Sequence, residues 1–370
     1  MKKIIIIPLL ILCVFLSGSY YDEQIDVQLS EAEKSGFSDT LPEYANELLE
    51  KIGIEKLDAN NLSNINFNDI ITLIFESISA KINEPLKAVV SVTAAGIVCS
   101  VVSILLGESG KNSSIISAVA SLSAASVFLI PIKELVASTS ETIGECSDFM
   151  LAFIPVYSSS LAATGYLSSA TGYRTMMFGT VTAISQIASE IISPLMLVYL
   201  AICISGSVSG IDTEELSKSV KNFAVWIIGT IMAVFSGVMG INTLISSGTD
   251  GALSKTAKFI VGSVVPIVGS TVSDAISTVK SCLIITKNFL GIYAILAIAA
   301  IFLPILMGLF IWKICINISS FITKIIGNKE LSSLLTSVSA VLGIMLSLVI
   351  IIGIMFIFSV AIILMTGGGL

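Results

Sequence analysis

Long apolar stretches separated by short polar segments make up most of the chain from about residue 87 onward. A helix of about 20 apolar residues is long enough to cross the hydrocarbon core of a bilayer. The pattern therefore predicts an all-α, polytopic membrane protein with about six to eight crossings. The candidate apolar segments are Ala88–Leu106, Ile115–Ile130, Phe149–Leu167, Thr175–Val208, Phe223–Ile245, Phe259–Ser270, Ile292–Trp312 and Leu334–Met365.

The polar segments between these stretches differ in kind. Lys133–Asp148 is polar and predicts an amphipathic helix at the membrane interface. Thr175–Val208 is too long for one comfortable crossing, and it fits two half-helices, a kinked span, or a span plus an interfacial piece. Phe259–Ser270 is too short to cross once as a straight helix, which suits a re-entrant segment.

The first residues have the layout of a secretory signal peptide. Lys2 and Lys3 precede an apolar run, Ile4–Leu16, which is followed by Ser17-Gly18-Ser19. This order of basic, apolar and small residues predicts that the polar segment after residue 19 is exported. Cleavage after residue 19 and retention as an anchor both fit the pattern, and either places that polar segment outside the cytoplasm.

Residues 20–86 form a polar segment with short amphipathic patterns. A first helix is predicted after Pro42, where Tyr44, Leu48 and Ile52 recur at a spacing of four. Asn68 begins a second pattern with isoleucines along one face. Because a region of this size has little apolar surface of its own, we expect it to pack on the membrane part or on a partner.

Prolines interrupt four apolar segments at similar distances in the two halves of the chain. Pro155 and Pro266 are 111 residues apart, and Pro194 and Pro304 are 110 apart. A third match, between the Glu-Leu-Ser triplets at 215 and 330, is offset by 115. Paired broken segments of this kind predict a two-fold internal repeat whose breaks shape a path or a subunit interface, and chance similarity within an Ile/Ser/Gly/Val-rich sequence is the alternative. The predicted organisation is a signal peptide (1–19), an acidic extracytoplasmic region (20–86), two spans with an amphipathic linker (87–148), and repeats at 149–258 and 259–370.

Composition supports the membrane class and excludes several chemistries. Charged residues make up only 12% of the 370 residues, and the mean hydropathy is +0.98. The segment between Tyr20 and Lys87 holds 14 acidic residues and five lysines, a net charge of −9. The rest of the chain therefore carries +2 of the total of −7, with no basic stripe for nucleic acid.

Catalytic and cofactor motifs are missing from the sequence. It contains no histidine, which removes histidine-based nucleophilic catalysis and the usual zinc ligands. Its six cysteines form no C-x-x-C pair, and it has no Walker A motif. We therefore expect no enzymatic activity, no cofactor and no bound metal, and any energy for transport must come from a partner or an ion gradient.

The residues that remain as functional candidates lie at or near the helix breaks. Glu190, four residues before Pro194, is the strongest, because an ionisable group within an apolar span defaults to a functional hypothesis. Arg174, the only arginine, is a candidate topology anchor, and an exposed position at a helix end fits it equally well. The predicted path, break or interface residues are Pro155, Ser158, Ser159, Glu190, Pro194, Pro266, Ser270, Asp274 and Pro304.

Two motifs at the broken segments resemble a known family. They are Phe153-Ile154-Pro155-Val156-Tyr157-Ser158-Ser159 with its continuation to Gly165, and Val261-Gly262-Ser263-Val264-Val265-Pro266-Ile267 with its continuation to Ala275. Both resemble the stage III sporulation protein AE family of endospore-forming bacteria, and the similarity extends from about Leu41 to the end of the chain. The signal peptide, polar segment and polytopic remainder resemble the layout of the same family.

The resemblance implies a subunit of the stage III sporulation AA-to-AH set, in the mother-cell-derived membrane around the forespore. It implies partners in that set, including a separate ATPase, and indirectly stage II sporulation protein Q. The set resembles a secretion-like channel apparatus, so this chain is expected to be a gate or permease-like component. Two other hypotheses stay open: a stand-alone, ion-coupled transporter with Glu190 as its coupling carboxylate, and a purely structural scaffold.

Overall fold

A computed structural model describes residues 36–54, 67–105, 110–209, 211, 213–264 and 269–365. The predicted signal peptide, the start of the acidic region and Pro266 lie outside the described residues. Every regular element within the described part is helical, which confirms the predicted class. After a 3₁₀ turn at Ser38–Thr40, the helices are α1 (Glu43–Lys51), α2 (Phe67–Lys81), α3 (Asn83–Leu105), α4 (Gly110–Ala163), α5 (Leu167–Gln186), a π-helical segment (Ile187–Ile192), α6 (Ser193–Ser209), α7 (Glu214–Val264), α8 (Gly269–Ile325) and α9 (Lys329–Met365).

Six stretches of helix are long and apolar enough to cross a membrane within the described ranges, in agreement with the lower end of the predicted number. Several are much longer than a bilayer needs. A helix rises about 1.5 Å per residue and the hydrocarbon core is about 30 Å thick, so about 20 residues suffice. The six are Asn83–Val102, Ala118–Ala163, Leu167–Ser209, Glu214–Ile241, Leu283–Ile325 and Lys329–Ile362.

Glycines in the left-handed conformation end two of the long helices and allow the chain to reverse. Gly165 (φ 94°) follows α4, and Gly327 (φ 90°) follows α8. Only glycine adopts this conformation without steric cost, and it frees the next amide to bond back to the last turn. After the second reversal, Asn328 caps α9 by accepting a hydrogen bond from the amide of Leu331 at 3.1 Å.

The core lies where α4, α8 and α9 pack against one another, with α3, α5, α6 and α7 around them. Helices α8 and α9 form an antiparallel hairpin and are the most buried of the candidate spans. Helices α1 and α2 pack on α8, so the polar N-terminal region is attached to the membrane part, as expected for a segment with little core of its own.

The structure differs from the sequence prediction along α4. The prediction made Lys133–Asp148 an amphipathic helix at the membrane interface. Instead, one helix runs continuously from Gly110 to Ala163, and Pro131 and Pro155 lie inside it. Proline removes one backbone hydrogen bond but need not end a helix whose faces are held by packing. The internal repeat stays a prediction.

Candidate functional site

The polar stretch of α4, residues 133–148, belongs to a helix that packs against α3, α5, α6, α8 and α9, and we call it the α4 strut. Its inward face is buried and mixes apolar side chains such as Val136 and Ile143 with hydroxyls. Thr139 donates a hydrogen bond to the Leu135 carbonyl at 2.6 Å, within the same helix. Its outward positions include exposed Lys133, Glu134, Glu141 and Asp148. The amphipathic pattern is therefore real, but its apolar face packs against protein.

A helix break lies against one side of the α4 strut. Between α5 and α6, residues 187–192 form a π-helical segment, in which the Ser193 amide donates to the Ala188 carbonyl, five residues back. Pro194 follows directly and has no amide proton for the Glu190 carbonyl. The wider π turn accommodates the proline without ending the helix, and such π-bulges are frequent at functional sites.

Two serines join this break to the α4 strut. The hydroxyls of Ser140 and Ser193 lie 2.6 Å apart, and either can donate. Ser193 Oγ also lies 3.3 Å from the Val136 carbonyl oxygen, and Ser140 Oγ lies 3.4 Å from the Ala188 carbonyl oxygen. Since Ser193 is buried, these contacts satisfy a polar group that would otherwise be costly within an apolar bundle.

Glu190 lies in the π segment but does not face the α4 strut. Its side chain is exposed, as is that of Arg174 on α5. Neither forms one of the two salt bridges found within the described part of the chain, Lys51–Glu76 and Lys218–Glu214. The structure thus brings Glu190 and Pro194 together in one break, with the carboxylate on the outer surface.

The N-terminal region contacts the same part of α4. The Tyr44 hydroxyl of α1 donates a 2.6 Å hydrogen bond to Glu145 Oε2, and it lies 3.4 Å from the Ile301 carbonyl oxygen of α8. Burial, together with the bond to Glu145 and its negative charge, raises the pKa of Tyr44 well above its ordinary value of 10.0. The neutral tyrosine therefore ties α1 to both α4 and α8.

Pro304, which lies inside the continuous helix α8, is also near the α4 strut. The Pro304 carbonyl accepts a 2.8 Å hydrogen bond from Lys81 Nζ at the end of α2. Partial burial lowers the pKa of Lys81 from its ordinary value. One turn further along α8, a methyl group added at Gly308 would lie 3.6 Å from Leu135 Cδ2, at the start of the α4 strut. The π segment before Pro194 and the stretch of α8 around Pro304 therefore both adjoin this stretch of α4.

Pro155 and its serines lie apart from this group, toward the end of α4. Ser158 donates to the Pro155 carbonyl at 3.0 Å, and Ser159 bonds to the same oxygen. The serines therefore satisfy their own helix locally, as hydroxyls do within apolar helices. Ser158 is buried and Ser159 is exposed. Ser270 and Asp274 lie in the first turns of α8, and their side chains are outside the described ones.

Sequence reasoning missed Ser140, Ser193, Glu145 and Lys81 as contact residues. Serine is abundant in this chain, so no local signal separates a serine that joins two helices from one that bonds its own backbone. The carboxylate of Glu145 has a signal, since it lies in an amphipathic pattern, but its partner is 101 residues away. No group of three acidic or cysteine side chains with metal-binding spacing occurs among the described residues.

Comparison with known proteins agrees with the resemblance noted in the motifs. The sequence profile of the family described as stage III sporulation protein AE matches residues 52–367. Stage III sporulation protein AE of Bacillus subtilis (strain 168) is 28% identical over 179 residues, which are 47% of this chain and 45% of that protein. The match therefore spans less than half of the length of this relative. No solved structure matches the chain. The profile covers most of the chain, which belongs to the stage III sporulation protein AE family.

Proposed function

We propose that this chain is the gate-like membrane subunit of a multi-protein transport complex required for endospore development. Its family is one of sporulation membrane proteins and is not a known family of enzymes. The observation that supports a gate is the π-helical, proline-containing break between α5 and α6, which is held to the α4 strut by the Ser140–Ser193 contact.

A break of this type suits a moving part. The helix lacks one backbone hydrogen bond at Pro194, so bending there costs less than in a regular helix. Serine hydroxyls can exchange partners between a neighbouring helix and their own backbone at small cost. Two positions of α6 relative to α4 can then be close in free energy, which is the requirement for a gate.

The proposed setting follows the family. The complex is the stage III sporulation AA-to-AH set, with a separate ATPase subunit and an indirect connection to stage II sporulation protein Q. The membrane is the mother-cell-derived one around the forespore, and the N-terminal region faces away from the mother-cell cytoplasm. The chain itself needs no catalytic residue or cofactor in this arrangement, since its work is to open and close a path.

The gate is tested by fixing the break to the α4 strut. The double variant Ser140→Cys, Ser193→Cys places two thiols where the hydroxyl oxygens are 2.6 Å apart, close enough for a disulfide after small adjustment. We expect an oxidant to reduce the number of heat-resistant spores at least tenfold, and a membrane-permeant reductant to restore it. The two single cysteine variants, treated identically, control for damage by the substitutions or by oxidation of native cysteines.

The same count of heat-resistant spores, applied also to Glu190→Gln, separates the three hypotheses. A gate predicts loss of sporulation only in the oxidised double variant, whereas a static scaffold predicts normal spore numbers although the disulfide forms. An ion-coupled carrier predicts loss of function in Glu190→Gln without any oxidant, and the exposed position of that side chain argues against this outcome. Normal sporulation with a quantitatively formed disulfide would overturn the proposal.

A further inference from the structure

A deep apolar groove lies between the N-terminal helices and the membrane helices. Its volume is about 310 Å³. Helices α8 and α9 form its floor with residues such as Phe302 and Ile350, and α1 and α2 form its walls with residues such as Leu49 and Leu73. All the described residues that line it are aliphatic, aromatic or glycine. Cavities of this size commonly hold ligands, and a purely apolar one does not hold ordered water.

Four polar contacts hold the walls of the groove in place. Tyr44 joins α1 to α4 and α8, and Lys81 joins α2 to the Pro304 carbonyl. Lys51 Nζ of α1 lies 3.6 Å from Glu76 Oε2 of α2, so an ion pair bridges the two walls at the surface. The walls are attached at their polar edges and leave apolar space between them, which is the arrangement of a binding groove.

The surroundings of the groove indicate its occupant. Its floor is made by α8 and α9, which are both candidate membrane spans. Ile354 and Phe358 of α9 line the groove and are 41% and 47% exposed. On α8, the lining residue Leu306 is followed one turn later by exposed Phe310, and the exposed apolar stripe continues along Ile314, Ile318, Phe321 and Ile325. The groove is thus continuous with the helix surfaces that a bilayer covers.

We propose that this groove binds one acyl chain of a membrane phospholipid. Hydrocarbon is the medium that contacts the exposed faces of membrane spans, and an acyl chain can enter laterally from it along the α8 stripe. An acyl chain in the groove keeps the apolar lining out of contact with water, and this covering of the lining favours occupancy. The rim carries both a lysine, Lys51, and a glutamate, Glu76, rather than several charges of one sign. The site therefore recognises the acyl chain and not a particular lipid head group.

The test uses the full-length protein in native membranes. A phospholipid with a photoreactive diazirine near the end of one acyl chain is added, activated by light and located by mass spectrometry. We expect labels on groove residues such as Leu306, Ile354 and Leu49, in addition to general labelling of exposed α3 residues such as Val98. Leu49 is informative because it lies on α1, where it is almost fully buried and out of reach of bulk lipid.

A variant in which a large side chain fills the groove tests whether the labelling depends on the groove. Ala299→Trp places a large ring in the groove and should reduce labelling of Leu49 at least fivefold, while labelling of Val98 stays unchanged. The matched control is Ala94→Trp, a similar change at an exposed alanine of α3, which should leave both signals unchanged. Phosphatidylcholine and phosphatidylglycerol probes should label the groove equally, because the site binds the acyl chain and does not distinguish head groups.

The wild-type labelling pattern decides the question even where a tryptophan variant does not fold. Labelling of Val98 with none on Leu49 or Leu73 would overturn the proposal. Cross-links between groove residues and residues 4–16 of this chain, or with a helix of another protein, would overturn it in favour of a protein occupant. None of these outcomes depends on the gate, because the groove lies beside α8 and α9 and not at the Ser140–Ser193 contact.

Discussion

At the scale of single residues, hydroxyl side chains join neighbouring helices of the membrane part. Thr93 and Ser319 lie 3.2 Å apart between α3 and α8, and Ser339 donates to Asn317 at 2.7 Å between α9 and α8. The Ser140–Ser193 pair does the same between α4 and the helix break. Small hydroxyl residues allow close approach of helices and supply a directional contact without a charge.

The energetic role of the serine pair is measurable by a double-mutant cycle. Ser140→Ala and Ser193→Ala should each destabilise the protein slightly, with a coupling energy of about 0.6 kcal/mol, typical of hydrogen bonds between membrane helices. The coupling arises because either substitution removes the same 2.6 Å contact. Thermal unfolding in detergent of the wild type, the two single variants and the double variant measures this coupling energy.

Ser159→Ala serves as the control for that cycle, because Ser159 is exposed and bonds only to the carbonyl of Pro155 in its own helix. Combined with Ser193→Ala, it should show additive effects. A coupling energy indistinguishable from zero between Ser140 and Ser193 would mean that the two hydroxyls do not contribute as a pair.

At the scale of helices, the sequence located the irregular segment at Pro194 but predicted other helix breaks and boundaries poorly. Breaks were expected at each proline because proline removes a backbone hydrogen bond, yet Pro155 and Pro304 lie inside continuous helices, and Pro266 lies outside the described residues. Whether the helix ends, bends or widens there depends on packing. Pro155 lies inside the continuous α4, whereas Pro194 follows a π segment. The polar stretch Lys133–Asp148 was expected at an interface, because an amphipathic pattern does not distinguish a membrane surface from a neighbouring protein surface.

The shape of the α5–α6 helix provides a prediction at this scale. Pro194→Ala restores the missing amide proton and removes the ring that the wider π turn accommodates, so we expect the π segment to revert to a regular, straighter α-helix. The distance between spin labels at the exposed positions Thr171 and Ser209 should lengthen. Pro155→Ala, with the same labels, is the control and should leave the distance unchanged. An unaltered distance in Pro194→Ala would show that packing alone shapes this helix.

At the scale of the whole molecule, the polar N-terminal region is part of the same packed body as the membrane helices. Phe37 is almost fully buried, with its ring 5.7 Å from that of Phe153 and 5.8 Å from that of Tyr293. The sequence indicated that this region needs a partner, because its apolar content is small. It did not indicate which surface, since Tyr44, Glu145 and Ile301 are brought together only by the fold.

The attachment of α1 to the membrane part should depend on pH through Tyr44. The pKa of Tyr44 is raised in the folded protein, so folding favours the neutral phenol. Its stabilising contribution is fully present below the unfolded-state pKa of about 10 and is lost as the pH rises above it.

Tyr44→Phe removes a hydrogen bond to a carboxylate and should lower the free energy of unfolding by about 1.5 kcal/mol at pH 8. Because the variant has no phenol to ionise at this position, the difference from wild type should shrink between pH 10 and 11. Thermal unfolding in detergent across this range measures it, with Tyr166→Phe as the control for general alkaline effects. A difference that is constant from pH 8 to 11 would show that folding does not favour the neutral phenol of Tyr44, and no difference at pH 8 would show that its hydrogen bond does not stabilise the protein.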